Sequence, residues 1–97
     1  MNNIQDQYPK LEDKDPDSVL DYKIDWSSYL GEDEIISSSW SISENSLLVD
    51  SQTSSTTDTK VWLSGGDNNK TYLITNSIET ASGRKDERSF LLRVRQR

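Results

Sequence analysis

Short segments in which apolar and polar residues alternate constrain this chain more than any other feature. The clearest runs from Thr71 to Ile78, where every second residue is Tyr, Ile, Asn and Ile. A period of two places alternate side chains on one face of a β-strand. Similar segments recur between turn signals such as Ser64–Asn69, and no helical pattern exceeds one turn. The sequence therefore predicts an all-β domain of about six or seven short strands.

Length and residue types define the kind of domain. The chain has 97 residues, which suits one domain, and only 31% of them are hydrophobic. Three tryptophans and four tyrosines argue against a disordered chain despite a net charge of -6. We expect a small antiparallel immunoglobulin-like β-sandwich over residues 18–97, without the disulfide of antibody domains because cysteine is absent. Its predicted core is Trp40, Ile42, Val61, Leu63, Tyr72, Ile74, Phe90, Leu92 and Val94.

The regions outside the clearest strands are predicted with less regular structure. Residues 1–17 are polar and contain both prolines, so we expect a flexible, extended N-terminal arm whose Tyr8 and Leu11 dock on a partner. A helical turn through Tyr29 and Leu30 should end at Gly31. In the strand around Trp40, the alternation predicts that Ile36 lies on the same face as Trp40 and Ile42. The stretch 50–58 has the weakest strand pattern, although its threonines are compatible with an edge strand.

No catalytic, metal or cofactor site is predicted. Histidine and cysteine are absent, which removes the commonest general base and the commonest transition-metal ligands. The acidic residues between Glu12 and Asp17 lack the spacing of a calcium loop, and Ser64–Gly66 lacks the Lys of a phosphate loop. No signal peptide or membrane span is visible, so we expect a soluble, non-enzymatic protein made in a cytosol.

Two groups of residues are candidates for partner contact. Trp26, Tyr29 and Trp62 are interpreted as core or subunit-interface aromatics, with a sugar-binding platform as the alternative. On the last strand, Arg93, Arg95 and Arg97 share a face opposite Phe90. These arginines form either a solvated face or a contact with an acidic protein segment. Binding to nucleic acid is disfavoured because the whole chain is acidic.

The order of local motifs resembles a family of small proteins encoded among the structural genes of tailed bacteriophages, described as fiber-tail adaptor or virion-associated proteins. The resemblance covers about Lys14 to Arg97. Its motifs are Asp15-Pro16-Asp17, Asp25-Trp26-Ser27, Leu30-Gly31, Ser38-x-Trp40, Val61–Gly66, Tyr72-x-x-Thr75-Asn76, Gly83-Arg84 and Arg93-x-Arg95. No catalytic residue is implied by it.

The resemblance implies a structural virion protein of a tailed phage, located in the tail or at the head–tail junction. It would join the portal-proximal adaptor region to tail fibers. The expected partners are other phage structural proteins (tail adaptor, nozzle or fiber, or else portal or capsid) and copies of the chain itself in a ring, without nucleic acid or membrane. A capsid decoration protein and a carbohydrate-binding module for host attachment are the alternatives.

Overall fold

The computed structural model describes residues 11–96, which form seven strands and one helical turn. The elements in chain order are β1 Leu11–Lys14, β2 Val19–Asp25, α1 Ser27–Leu30, β3 Ile35–Ile42, β4 Leu47–Ser54, β5 Asp58–Gly65, β6 Lys70–Thr80 and β7 Lys85–Val94. The predicted helical turn is present and ends at Gly31, whose φ of 61° suits a residue without a side chain.

The strands form two sheets. One has the order β1-β7-β6-β3 and the other has the order β2-β5-β4. The prediction of an all-β sandwich is confirmed. Every neighbouring pair within residues 18–97 is antiparallel, as predicted, and β1, which precedes this range, pairs parallel with β7.

The strand order can be compared with that of immunoglobulin domains. From β2 to β7, the neighbours are those of strands B, E and D in one sheet and C, F and G in the other. Tyr72, near the start of β6, accepts a hydrogen bond at 2.8 Å from the backbone N–H of Asp67, which is the bonding pattern of a tyrosine corner. The first strand differs from the constant-type arrangement, because β1 lies beside β7 and not beside β2.

The N-terminal boundary of the sandwich lies earlier than the sequence predicts. Residues 11–14, which were expected to belong to a flexible arm, form β1, and Asp15 then begins a turn in which its carbonyl accepts from Ser18 N–H. Lys14 is fully buried, and its ammonium group donates to the carbonyls of Gly65 at 2.8 Å and Asp15 at 2.9 Å. Burial lowers the pKa of Lys14. The remainder of the predicted arm lies outside the described residues.

The main core lies between the two sheets and agrees closely with the prediction. Its buried members are Leu47, Val61, Leu63, Tyr72, Ile74, Phe90, Leu92 and Val94, of which only Leu47 was not expected. Trp40 and Ile42, also predicted, are half-buried at the margin of this cluster. A second, smaller cluster beside α1 contains Trp26, Leu30, Ile35 and Ile78.

Two features of β3 and β4 differ from the sequence pattern. Ile35 is 6% exposed and Ile36 is 63% exposed, the reverse of the predicted parity. The reason is a register shift between Ile35 and Ser37, which inserts a residue and changes the alternation.

The weakly patterned stretch after Val49 continues β4 as far as Ser54, because pairing with β5 satisfies its backbone groups.

A buried amide connects the two sheets. Asn76 Oδ1 accepts from Trp26 Nε1 at 3.0 Å and from the Thr59 hydroxyl at 2.7 Å. Its Nδ2 donates to Ser38 Oγ and to the Ser39 carbonyl, each at 2.9 Å. The amide therefore uses both donor hydrogens and both acceptor positions, which is the condition under which a buried polar group is tolerated.

We expect Asn76→Ala to lower the free energy of unfolding by about 3 kcal/mol or more, because the buried donors of Trp26 and Thr59 would each lose an acceptor. Urea unfolding followed by tryptophan fluorescence measures the change. The control is Asn45→Ala, an exposed turn residue whose loss should cost less than about 0.5 kcal/mol. Equal effects of the two substitutions would contradict a structural role for the Asn76 amide.

A carboxylate attaches α1 to the β6–β7 hairpin. Asp33 accepts from the backbone N–H and the hydroxyl of Ser82 and from Arg84 Nε at 3.1 Å. Arg84 also donates to the carbonyl of Leu30 at the end of α1. The hydroxyl of Ser82, with smaller contributions from Thr80 and Arg84, holds the pKa of Asp33 well below its ordinary value of 3.8.

We expect Asp33→Asn to lower the urea midpoint near neutral pH and to lose this effect progressively in acid. A carboxylate whose pKa is depressed by folding stabilises the native state above its unfolded pKa, and this stabilisation is lost as the pH falls. The midpoints of the two proteins should therefore approach each other as the pH falls below 3.8. Asp86→Asn, in the adjacent hairpin strand, is the control, and a pH-independent difference for Asp33→Asn would contradict this account.

Candidate partner-binding surfaces

Trp26 is buried inside the fold. Its side chain is fully buried, and its indole N–H is occupied by Asn76. The guanidinium of Arg88 covers the ring, with Cζ 4.4 Å from the ring centroid. Of the two interpretations given for Trp26, the structure therefore shows the core aromatic, because the second core cluster uses the whole side chain.

Tyr29 lies beside Trp26. Its ring meets Trp26 edge to face at a centroid separation of 5.4 Å, and Arg84 lies over it at 4.6 Å. Trp62 is on the outer face of β5, away from this cluster. The structure thus does not bring Trp26, Tyr29 and Trp62 together as a platform for a sugar.

Trp62 instead belongs to an exposed apolar surface on the three-stranded sheet. It is 37% exposed and is opposite Asp21 on β2 and Ser51 on β4. In the next outward-facing row, Val19 and Leu48 lie on either side of Ser64 and are 52% and 55% exposed. These residues are diagonal neighbours of Trp62, within reach of its indole ring.

Leu20 and Val49 belong to the row between these two and flank buried Leu63, so their side chains point to the inner face of the sheet and are partly exposed at its two edges. Five of the six large exposed hydrophobic residues in the described part of the chain therefore occupy three adjacent rows at one end of one sheet. Three of them lie on its outer face, and we call these three residues, Val19, Leu48 and Trp62, the Trp62 patch.

The charges beside the Trp62 patch are internally paired. Lys60 Nζ is 3.8 Å from Asp21 Oδ2, and Lys23 Nζ is 3.3 Å from Asp58 Oδ2. Both pairs are exposed and lie on the same outer face, beyond Trp62. An apolar centre with a polar margin is the usual composition of a protein–protein contact.

Five of the residues predicted as partner contacts lie near the two ends of the chain, and the structure describes three of them. Leu11 is half-buried on β1, where it is the register partner of buried Leu91 in the same chain. Arg93 is the register partner of Asp13, and its Nε is 3.3 Å from Asp13 Oδ1, so the acidic partner predicted for this arginine lies in the same chain. Arg95 is exposed. Tyr8 and Arg97 lie outside the described residues.

The sequence indicated Trp62 as a candidate contact residue, but it did not indicate the apolar residues beside it. The alternation in Leu47–Val49 indicates that Leu47 and Leu48 face opposite sides of a strand. It does not indicate that β2 and β4 are the two neighbours of β5, which is what places Val19 and Leu48 beside Trp62.

The described residues contain no other arrangement that favours a specific chemistry. Among residues 11–96, no three acidic side chains converge as they would around a metal ion. The helical turn α1 is far too short to cross a bilayer, and no other helix occurs in the described part of the chain. A shallow polar hollow crosses the outer face of β3, β6 and β7, lined mainly by serines and charged residues such as Glu79 and Lys85.

Comparison with known proteins agrees with the resemblance that the order of motifs indicated. Among curated proteins, no sequence matches the chain. The family model described as podophage GP4 fiber-tail adaptor protein gp77 matches residues 14–93, from the buried Lys14 to the last ion-paired arginine of β7. Because the match spans most of the sandwich, the chain belongs to this family of phage fiber-tail adaptor proteins.

Proposed function

We propose that this phage tail protein is a non-enzymatic adaptor that joins the portal-proximal adaptor region of the tail to its fibers, and that the Trp62 patch is one of its docking surfaces. Family membership supports a structural role in the virion. The absence of histidine and cysteine from the sequence agrees with a role in assembly. Synthesis in the cytoplasm of the bacterial host is part of the proposal.

The observation that carries this proposal is the concentration of exposed apolar side chains on one end of one sheet. In an acidic chain of low hydrophobic content, burying Val19, Leu48 and Trp62 at the surface of a partner removes apolar area that the fold leaves in water. Trp62 at the centre has the residue type that most often dominates the binding energy of an interface. The patch therefore fits an apolar surface of another phage structural protein.

The alternatives fit the structure less well. A carbohydrate-binding module would stack a sugar on a platform of open aromatic faces, whereas Trp26 is buried, Arg84 covers Tyr29, and exposed Trp62 lies apart from both. A capsid decoration protein would bind every repeating unit of the head, whereas an adaptor would be present at the low copy number that the tail symmetry sets. Quantitative mass spectrometry of purified particles separates these two roles.

We expect Val19→Ser/Leu48→Ser and Trp62→Ser, introduced into the phage, each to reduce the amount of fiber protein in purified particles by about tenfold or more. Loss of this chain together with the fibers would identify the tail as the partner of the patch. Loss of the fibers alone would identify the fiber protein. Thermal melting of the purified variants shows whether each chain remains folded.

The matched control keeps the same positions apolar. Leu48→Met/Trp62→Phe should assemble at near wild-type levels, because it preserves the apolar area of the patch. Wild-type fiber content in folded Val19→Ser/Leu48→Ser and Trp62→Ser particles would show that the patch is not used in assembly.

A further inference from the structure

The free edge of β3 is a second surface with unused bonding capacity. β3 is the last strand of its sheet and pairs only with β6 among the described strands. Ser43 N–H donates to the carbonyl of Leu73 on β6 at 3.0 Å, so the backbone groups of Ser43 face β6. In antiparallel pairing the backbone groups of alternate residues face the same neighbour. The N–H and C=O groups of Ser38, Trp40 and Ile42 therefore point to the free side.

This edge lacks the charges that usually protect an exposed strand. All eight residues from Ile35 to Ile42 are uncharged, and none is proline. The other sheet edges in the described part of the chain carry charged residues: three in β1, three in β2, and Asp50 at the register shift of β4. Charged side chains, prolines and bulges are the devices that keep strand edges apart. The register shift of β3 lies at its first residues, which leaves Ser37–Ile42 regular.

The side chains at this edge are incompletely covered. Trp40 packs edge-on against Phe90, with centroids 6.4 Å apart, yet it is only half-buried, as is Ile42. The indole N–H of Trp40 is the one buried side-chain polar atom in the described residues without a hydrogen-bond partner. A strand added beside β3 would extend the sheet over both residues and complete their burial.

We propose that β3 pairs antiparallel with β3 of a second copy of this chain, about a two-fold axis at Trp40. Each copy has a net charge of -6, so contact between copies requires an uncharged site, and β3 is the uncharged edge. A two-fold contact places the same strand on both sides, which an edge without like charges permits. This inference concerns the isolated chain and does not depend on the role of the Trp62 patch.

The position of the two-fold axis at Trp40 follows from which residues of β3 direct their backbone groups to the free side. With this axis, Trp40 is opposite Trp40, and Ser38 of each copy is opposite Ile42 of the other. All three outward-facing residues then form hydrogen-bonded pairs. Moving the axis to Ser39 would require Ile36, which lies at the register shift, to join the ladder. On the outer face, Ser39 of one copy lies opposite Ser41 of the other.

Single cysteines test this register directly, because the chain has no native cysteine. Opposed residues at a non-hydrogen-bonded position have Cβ atoms close enough for a disulfide. A mixture of full-length Ser39→Cys and Ser41→Cys chains, distinguished by a tag, should cross-link under mild oxidation about tenfold faster than a mixture of Ser39→Cys and Thr71→Cys. Thr71 is the control because it is exposed on β6, inside the same sheet.

Solution mass provides the second measurement. The wild-type chain should sediment as a dimer that dissociates on dilution, and Ser39→Lys/Ser41→Lys should associate at least about tenfold more weakly while melting normally. Thr71→Lys, which adds a charge away from the edge, should remain dimeric. A wild-type chain that is monomeric at every concentration would overturn the proposal. A dimer whose association is not weakened by Ser39→Lys/Ser41→Lys would also overturn it. Preferential cross-linking of Ser39→Cys with itself would overturn the axis at Trp40.

Discussion

The amide of Asn76 is the interaction on which the arrangement of both sheets depends. A buried amide costs free energy unless all its hydrogen-bonding groups are used, and here the partners come from three different segments. Trp26 follows β2, Thr59 belongs to β5, and Ser38 and Ser39 belong to β3. Satisfying Asn76 therefore aligns β6 with the opposite sheet and orients the indole of Trp26, around which the second core cluster is built.

The position of Trp26 has consequences beyond the core. Arg88 covers its ring, Tyr29 packs against its edge, and Arg84 covers Tyr29 while binding Asp33. Two arginines thereby enclose aromatic rings, and Arg93 pairs with Asp13. These three arginines therefore make contacts within the chain.

The two surfaces that remain are different in kind and lie on different sheets. The Trp62 patch offers side chains on the outer face of β2, β5 and β4, whereas β3 offers backbone groups at the edge of the other sheet. A face and an edge can be occupied at the same time. An adaptor needs this property, because it must hold one protein while it contacts another or a second copy of itself.

Alternation of apolar and polar residues predicted most strand positions, the inward side of β5, β6 and β7, and most of the main core, because a period of two is a local property of a strand. It could not determine which aromatic residues are buried. Trp26 and Trp62 were interpreted alike from the sequence, as core or subunit-interface aromatics, yet one is bonded to an amide 50 residues away and the other lies on an open sheet face. Local patterns also did not predict which isoleucine at the start of β3 faces inward, that residues 11–14 form a strand, or which residues lie beside Trp62. Each of these depends on which strands pair and in what register, and pairing joins segments that are distant in the sequence, so only the tertiary structure shows it.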